Sequence, residues 1–381
     1  MGEVARQHRY TVSYRMKVLG LCSYPVEAAA TRFRLTQFIQ PLAKQGIELT
    51  VSPFLDGPAF AGHYSGGGII GKAAALAAPT LRRLSLGLDA KQFDLLLVQR
   101  EAMFFGPAIF EALYRRLGNL PMVLDLDDAT YISYESPTYG KIGSFFKFFG
   151  KTDKLILKSR LVTCGNRFIA EHVREKGVEA VVIPTIVDTE IFRPSERAND
   201  PLVIGWIGTH STFPLLESIF PVLQKLAARH DFVLRIVGAK REKIGLDGVN
   251  VENLEWTLDG EVSHFQSLDI GLYPIQTSSS APEEWLLGKS GFKAIQYLAV
   301  GVPFVMSPVG VCAEIGESGV THFNAVTPED WYASLDRLLT DGELRNEMGA
   351  AARRHSVEHY SLEEHASALA ATLLKVHKAR A

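Results

Sequence analysis

Short apolar runs rich in Val, Ile and Leu recur along the chain, separated by longer stretches whose apolar residues fall at helical spacing. Strands buried on both faces of a parallel sheet read as continuous apolar runs, so this pattern predicts repeated strand–helix units. The first set of predicted strands is KVLGLC (17–22), ELTVSPF (48–54), DLLLVQ (94–99), MVLDLD (122–127), LVTCG (161–165) and AVVIP (180–184). The second is LVIGWIG (202–208), VLRIVG (233–238), VNVENL (249–254), DIGLYPI (269–275), PFVMSP (303–308) and FNAV (323–326). Between the sets, TEIFRPSERANDP is polar, carries prolines and has no periodicity, as a linker does. The expected organisation is a disordered extension over 1–15, a first domain over 16–190, a linker at 191–201 and a second domain over 202–355. A closing helix over 356–381 opens on a capping box, Ser361 with Glu364, and is expected to pack back on the first domain. The fold class is therefore α/β, with two Rossmann-like, doubly wound parallel-sheet domains facing a cleft. Ligands of such sheets lie beyond the carboxyl ends of the strands, which is where functional residues are expected.

Length agrees with this division, since 381 residues suit two domains with separate cores. Hydrophobic residues make up 47% and charged residues 22%, ordinary values for a globular protein, and no apolar run is long enough to span a bilayer. The opening MGEVARQHRYTVSYR has no apolar signal region, and the three cysteines are widely spaced without a metal-site or disulfide pattern, so a cytoplasmic protein is expected. Charge changes the picture more. Up to Arg160 the chain has 20 Lys and Arg against 13 Asp and Glu, a net +7, and the remainder carries −9. A basic first half suits an anionic acceptor or an anionic membrane surface. KIGSFFKFFGKTDKLILK (141–158) interleaves phenylalanines with lysines and fits either a peripheral contact with the inner membrane or a core helix. No clustered basic and aromatic module points to nucleic acid.

Two phosphate motifs fail on inspection. GGGIIGKA (66–73) has P-loop spacing but offers Ala73 where magnesium needs a hydroxyl, and it follows no apolar strand. No G-x-G-x-x-G follows the first strand, which removes support for a nicotinamide enzyme. A better anion site is GKSGFKAIQYLAVGVP (288–303). There a glycine turn opens a helix, and the amides of Ser290, Gly291 and Phe292 with the positive helix end can hold a diphosphate. Lys289 and Lys293, four apart, would share a face if both are helical. Gln296, a turn further on, is in reach of a ribose hydroxyl. A solvated helix surface is the plain alternative.

This segment resembles the donor-site signature of retaining glycosyltransferases of the GT-B fold, in the large group often called family 4. Many members carry two glutamates, in an EGFGLVALEAMACGTPVV-like pattern; the matching positions here are Gly288 and Gln296. The chain is closer to a sub-branch with a GKxGxKxxQYxAxGxP frame. The resemblance spans most of residues 16–375. It implies a phosphate-facing loop at Gly208, Thr209, His210 and Ser211, although the basic pair that usually follows that loop is replaced by STFPLLES. It also implies cleft positions for Arg32 and Arg34, an acidic turn in MVLDLDDA with Asp127 and Asp128 contacting donor or acceptor hydroxyls, and a site position for Asn166. Such enzymes neutralise diphosphate with lysines and helix dipoles, so neither metal nor cofactor is expected, despite the D-x-D in DLDD. The implied activity is transfer of a sugar, with retention, from a UDP- or GDP-sugar to a glycan or lipid-linked acceptor. Asp127, Asp128, Lys289 and Lys293 would be its catalytic set. A nucleotide-sugar epimerase or hydrolase, or a catalytically silent nucleotide-sugar-binding protein, fits the same fold.

Overall fold

A computed structural model of the chain describes residues 16–64, 75–133, 148, 150–275 and 283–379, without the side chains of Ala61, His63 and Tyr64. The expected extension at 1–15, the glycine segment 66–73 and most of 141–149 lie outside these residues. Two sheets of six strands form. The first runs β2-β1-β3-β4-β5-β6 and contains β1 (Met16–Cys22), β2 (Ile47–Pro53), β3 (Leu95–Gln99), β4 (Met122–Leu126), β5 (Leu161–Cys164) and β6 (Ala180–Val182). The second runs β12-β11-β10-β7-β8-β9. Its strands are β7 (Leu202–Ile207), β8 (Phe232–Val237), β9 (Asn250–Leu254), β10 (Ile270–Tyr273), β11 (Phe304–Met306) and β12 (Phe323–Asn324). All neighbouring strands are parallel, and every one of the twelve overlaps an apolar run read from the sequence.

The reason is burial. Every residue of β3, β4 and β5 is buried, so apolar side chains are stabilised on both faces and the runs are broken only by Gln99, Asp125 and Thr163, each of which is hydrogen-bonded. At the edge of the second sheet, β9 is largely exposed and reads NVENL.

Helices cover both faces of each sheet. On one face of the first, Leu19, Val98, Leu124 and Val162 pack beneath the helices Ile109–Gly118, Gly150–Lys158 and Arg167–Glu175. On the other, Val18, Leu97 and Val123 meet Leu362, Leu369 and Leu373 from the closing helix Leu362–Lys378. Ser361 caps that helix by accepting from the Glu364 amide. The two domains meet where the helix Ala29–Arg34 enters the second one. Phe33 packs against Phe292, ring centroids 4.5 Å apart, and against Phe192 at 5.9 Å.

Candidate functional site

β3 and β4 are neighbours, so the residues that follow them meet at the carboxyl edge of the first sheet. Arg100 takes a left-handed φ of 57° directly after β3. For a side-chain-bearing residue that conformation costs on the order of 1 kcal/mol. It turns the guanidinium onto the acidic turn after β4. Nε lies 2.5 Å and Nη2 2.7 Å from the two oxygens of Asp127, and Nη2 also donates to Asp128 Oδ2 at 2.7 Å. Gln99 Nε2 donates to Asp127 Oδ1 at 2.9 Å. Burial alone would raise the Asp127 carboxyl, but the charge and hydrogen bonds of Arg100, with Arg34 behind, hold it below the usual carboxylate value. Asp127 is thus a buried anion. Asp128 is half-buried, and its Oδ1 is enclosed without a hydrogen-bond partner among the described residues.

Across the cleft stands the glycine segment. Ala129 N donates to Gly288 O at 3.3 Å, and a Cβ at Gly288 would fall 2.2 Å from that of Ala129. Only glycine admits this approach of two backbones. Asn166 Nδ2 donates to Lys289 O at 2.9 Å, while its Oδ1 caps the helix Arg167–Glu175. Lys289 Nζ lies 3.5 Å from the ring centroid of Trp285 and 3.9 Å from Asp128 Oδ2. Gly291, with φ 64°, is the N-cap of the helix Phe292–Val300. The amides of Ser290, Gly291 and Phe292 precede the first intrahelical bond, from Ala294 N to Gly291 O, at the positive end of the helix dipole. A cavity of ≈ 300 Å³ opens beside Asn166 between the domains, with Leu287 and Gly310 on its far side.

Three expectations need correction. Lys289 and Lys293 do not share a helical face, because the helix begins only at Phe292. Lys289 turns to Asp128, whereas Lys293 Nζ donates to Gln296 Oε1 at 3.1 Å and feels the charge of Glu261. Burial pushes the Lys293 ammonium down to about 8, Glu261 opposing and Arg32 adding to the shift. Gln296 is fully buried, its amide donating to Glu261 at 3.4 Å, so it faces the domain junction and not a ribose. Arg34, expected in the cleft, is buried, with Nε and Nη2 donating to Asp125 at 2.9 and 2.5 Å and Nη1 to Ile183 O. Arg32 reaches the other domain, where Nη2 meets Glu261 Oε2 at 2.7 Å.

Gly208, Thr209, His210 and Ser211 follow β7 as a loop tied by Thr209 Oγ1 to Ser211 Oγ at 2.8 Å. Burial lowers the His210 pKa, and the nearby charges of Lys240 and Arg241 lower it further. Those two residues follow β8, the neighbour of β7, and bring to this loop the basic pair that its own sequence lacks. Sequence reading missed them, as it missed Arg100 and Glu261; the available signal was position, since Arg100, Lys240 and Arg241 each come just after a strand.

Two doubly wound sheets meeting at a cleft, with a helix N-terminus on one wall and an acidic turn on the other, constitute the GT-B fold. Residues 202–341, which contain the glycine segment, match the family model described as Glycosyl transferases group 1. Solved structures with the same architecture include HepE from Anabaena in complex with UDP-glucose. It has a TM-score of 0.63 and 14% identity, covering 94% of this chain and 100% of that one. A glycosyltransferase from Rickettsia africae gives 0.64 and 15%, covering 95% and 98%. Sucrose-phosphate synthase from Thermosynechococcus elongatus gives 0.65 and 12%, covering 95% and 100%. At such identities the likeness is one of fold. No curated protein matches the chain in sequence.

Proposed function

We propose that the chain is a glycosyltransferase that takes a sugar, with retention, from a nucleoside-diphosphate sugar and passes it to a glycan or lipid-linked acceptor. The observation that carries this reading is the opposition, across one cleft, of Lys289 at a glycine-capped helix start and the half-buried Asp128 carboxylate. A diphosphate placed on the amides of Ser290, Gly291 and Phe292 would have Lys289 for its charge, with Lys240 and Arg241 at the neighbouring loop. As the glycosidic bond breaks, negative charge grows on the departing diphosphate. Donors already fixed in place stabilise that charge without reorganisation. The half-buried Asp128 carboxylate would accept from a sugar hydroxyl, and Arg100, which bridges it to Asp127, would hold it in place. Neither a metal nor a cofactor enters this account.

HepE, whose solved complex holds UDP-glucose, supports a nucleotide-sugar donor. The test is to incubate the full chain with UDP- and GDP-sugars, with and without a panel of glycan and lipid-linked acceptors, and to follow release of nucleoside diphosphate. Acceptor-dependent transfer with retained anomeric configuration is expected. Epimerisation or hydrolysis of the donor with no acceptor present would move the assignment to that other chemistry on this fold.

A further inference from the structure

Lys289 does not meet Lys293, four residues after it, but it does meet Trp285, four residues before it. The short helix Glu283–Leu287 is anchored by Leu286, which is 1% exposed. Its turn runs on past Leu287, with Gly288 N donating to Glu284 O and Lys289 N to Leu286 O, each at 3.1 Å. Residues four apart on such a turn face the same way, and Lys289 Nζ lies 3.5 Å from the centroid of the Trp285 ring. The backbone beneath the pair is clamped from both domains. Asn166 Nδ2 holds the Lys289 carbonyl from the first, and in the second Gly310 packs so close that a Cβ there would stand 2.8 Å from Leu287 O.

Two neighbours of this ammonium differ in kind. Asp128 Oδ2 is 3.9 Å away, beyond hydrogen-bond reach, and Arg100 already donates to that oxygen at 2.7 Å. The indole is nearer. Its face attracts a cation through the ring quadrupole but carries no net charge, so the ammonium keeps its own charge for an anion. A carboxylate in direct contact would cancel much of that charge and would compete with a phosphate for the same donors.

We propose that Trp285 is a positioning residue for the donor: it holds the Lys289 ammonium at the turn Ser290, Gly291 and Phe292 and keeps it from pairing fully with Asp128. This rests on the reading that a nucleoside diphosphate binds through Lys289. Trp285 acts through Lys289 and not by touching the nucleotide. The ring also packs against the core of the second domain, and a purely structural role there makes a different prediction. Loss of the ring would then weaken the site whatever residue stands at position 289.

A double-mutant cycle on the full chain separates the two roles, with the dissociation constants of UDP and GDP measured for the parent, Trp285→Leu, Lys289→Ala and the double variant. For the nucleotide that binds the parent, Trp285→Leu should weaken binding about three- to tenfold, the scale of a partly desolvated cation–π contact. Once position 289 is alanine, the same substitution should weaken it no further. Trp285→Phe keeps an aromatic face and should retain most of the parent's affinity. An equal fold-loss from Trp285→Leu in both backgrounds, a Phe variant no better than the Leu variant, or a loss in Lys289→Ala alone would overturn the positioning role and leave the donor site standing. No nucleotide binding to the parent, or binding that Lys289→Ala leaves unchanged, would overturn the donor site and the positioning role together.

Discussion

Lys289 and Lys293 are four residues apart in sequence and face different partners, because a left-handed glycine at Gly291 separates a turn from a helix. Spacing alone carried no information about that break. The same limit applies to Gln296, whose polarity suggested a ligand contact, whereas its amide serves Glu261 and Lys293. Lys289→Ala should lower kcat/KM by about one to three decades, the scale of losing one fixed electrostatic contact, in a transfer assay with saturating acceptor. Lys293 makes a different prediction. Because its folded value lies near 8 and the unfolded one near 10.5, the unfolded chain holds a proton between those pH values that the folded chain has released. Its contribution to stability therefore rises with pH across that window. The melting temperature of the parent minus that of Lys293→Met should become more positive from pH 7.5 to pH 10; a constant difference contradicts the buried position. Arg100→Ala, which leaves Asp127 buried without its main cation, should cost about 1–3 kcal/mol in denaturant unfolding.

At the scale of elements, the strands were legible because two-sided burial writes itself into sequence as mostly apolar runs, as in LLLVQ and MVLDL, where the one polar residue of each is buried and paired. Strand neighbours were not legible in the same way. Lys240 and Arg241 reach the loop after Gly208 because β8 lies beside β7, a pairing that no local pattern states. The contact between Gly288 and Ala129 was equally hidden, and it leaves room for no side chain at position 288. Gly288→Glu should therefore reduce activity rather than restore it, by pushing the two backbones apart. A small-angle scattering radius larger than the parent's would accompany the loss, and a gain in turnover would refute the packing argument.

Over the whole molecule, two domains share a junction that is partly charged and partly aromatic. Arg32 and Glu261 pair across it with side chains only 14% and 5% exposed, beside the Phe33 and Phe292 contact. Removing one partner leaves the other buried and uncompensated, so Glu261→Gln should destabilise the junction by about 3–5 kcal/mol at the upper end. The pairing joins residues 229 apart, beyond the reach of any local reading. The junction frames the cleft in which we propose that a nucleoside diphosphate binds through Lys289. Calorimetric titration of UDP and of GDP into the parent and into Lys289→Ala tests it most directly. One of the two nucleotides is expected to bind the parent and to bind Lys289→Ala about tenfold or more weakly, as loss of a charge-assisted contact requires. Binding of neither nucleotide, or equal affinity in both proteins, would contradict it.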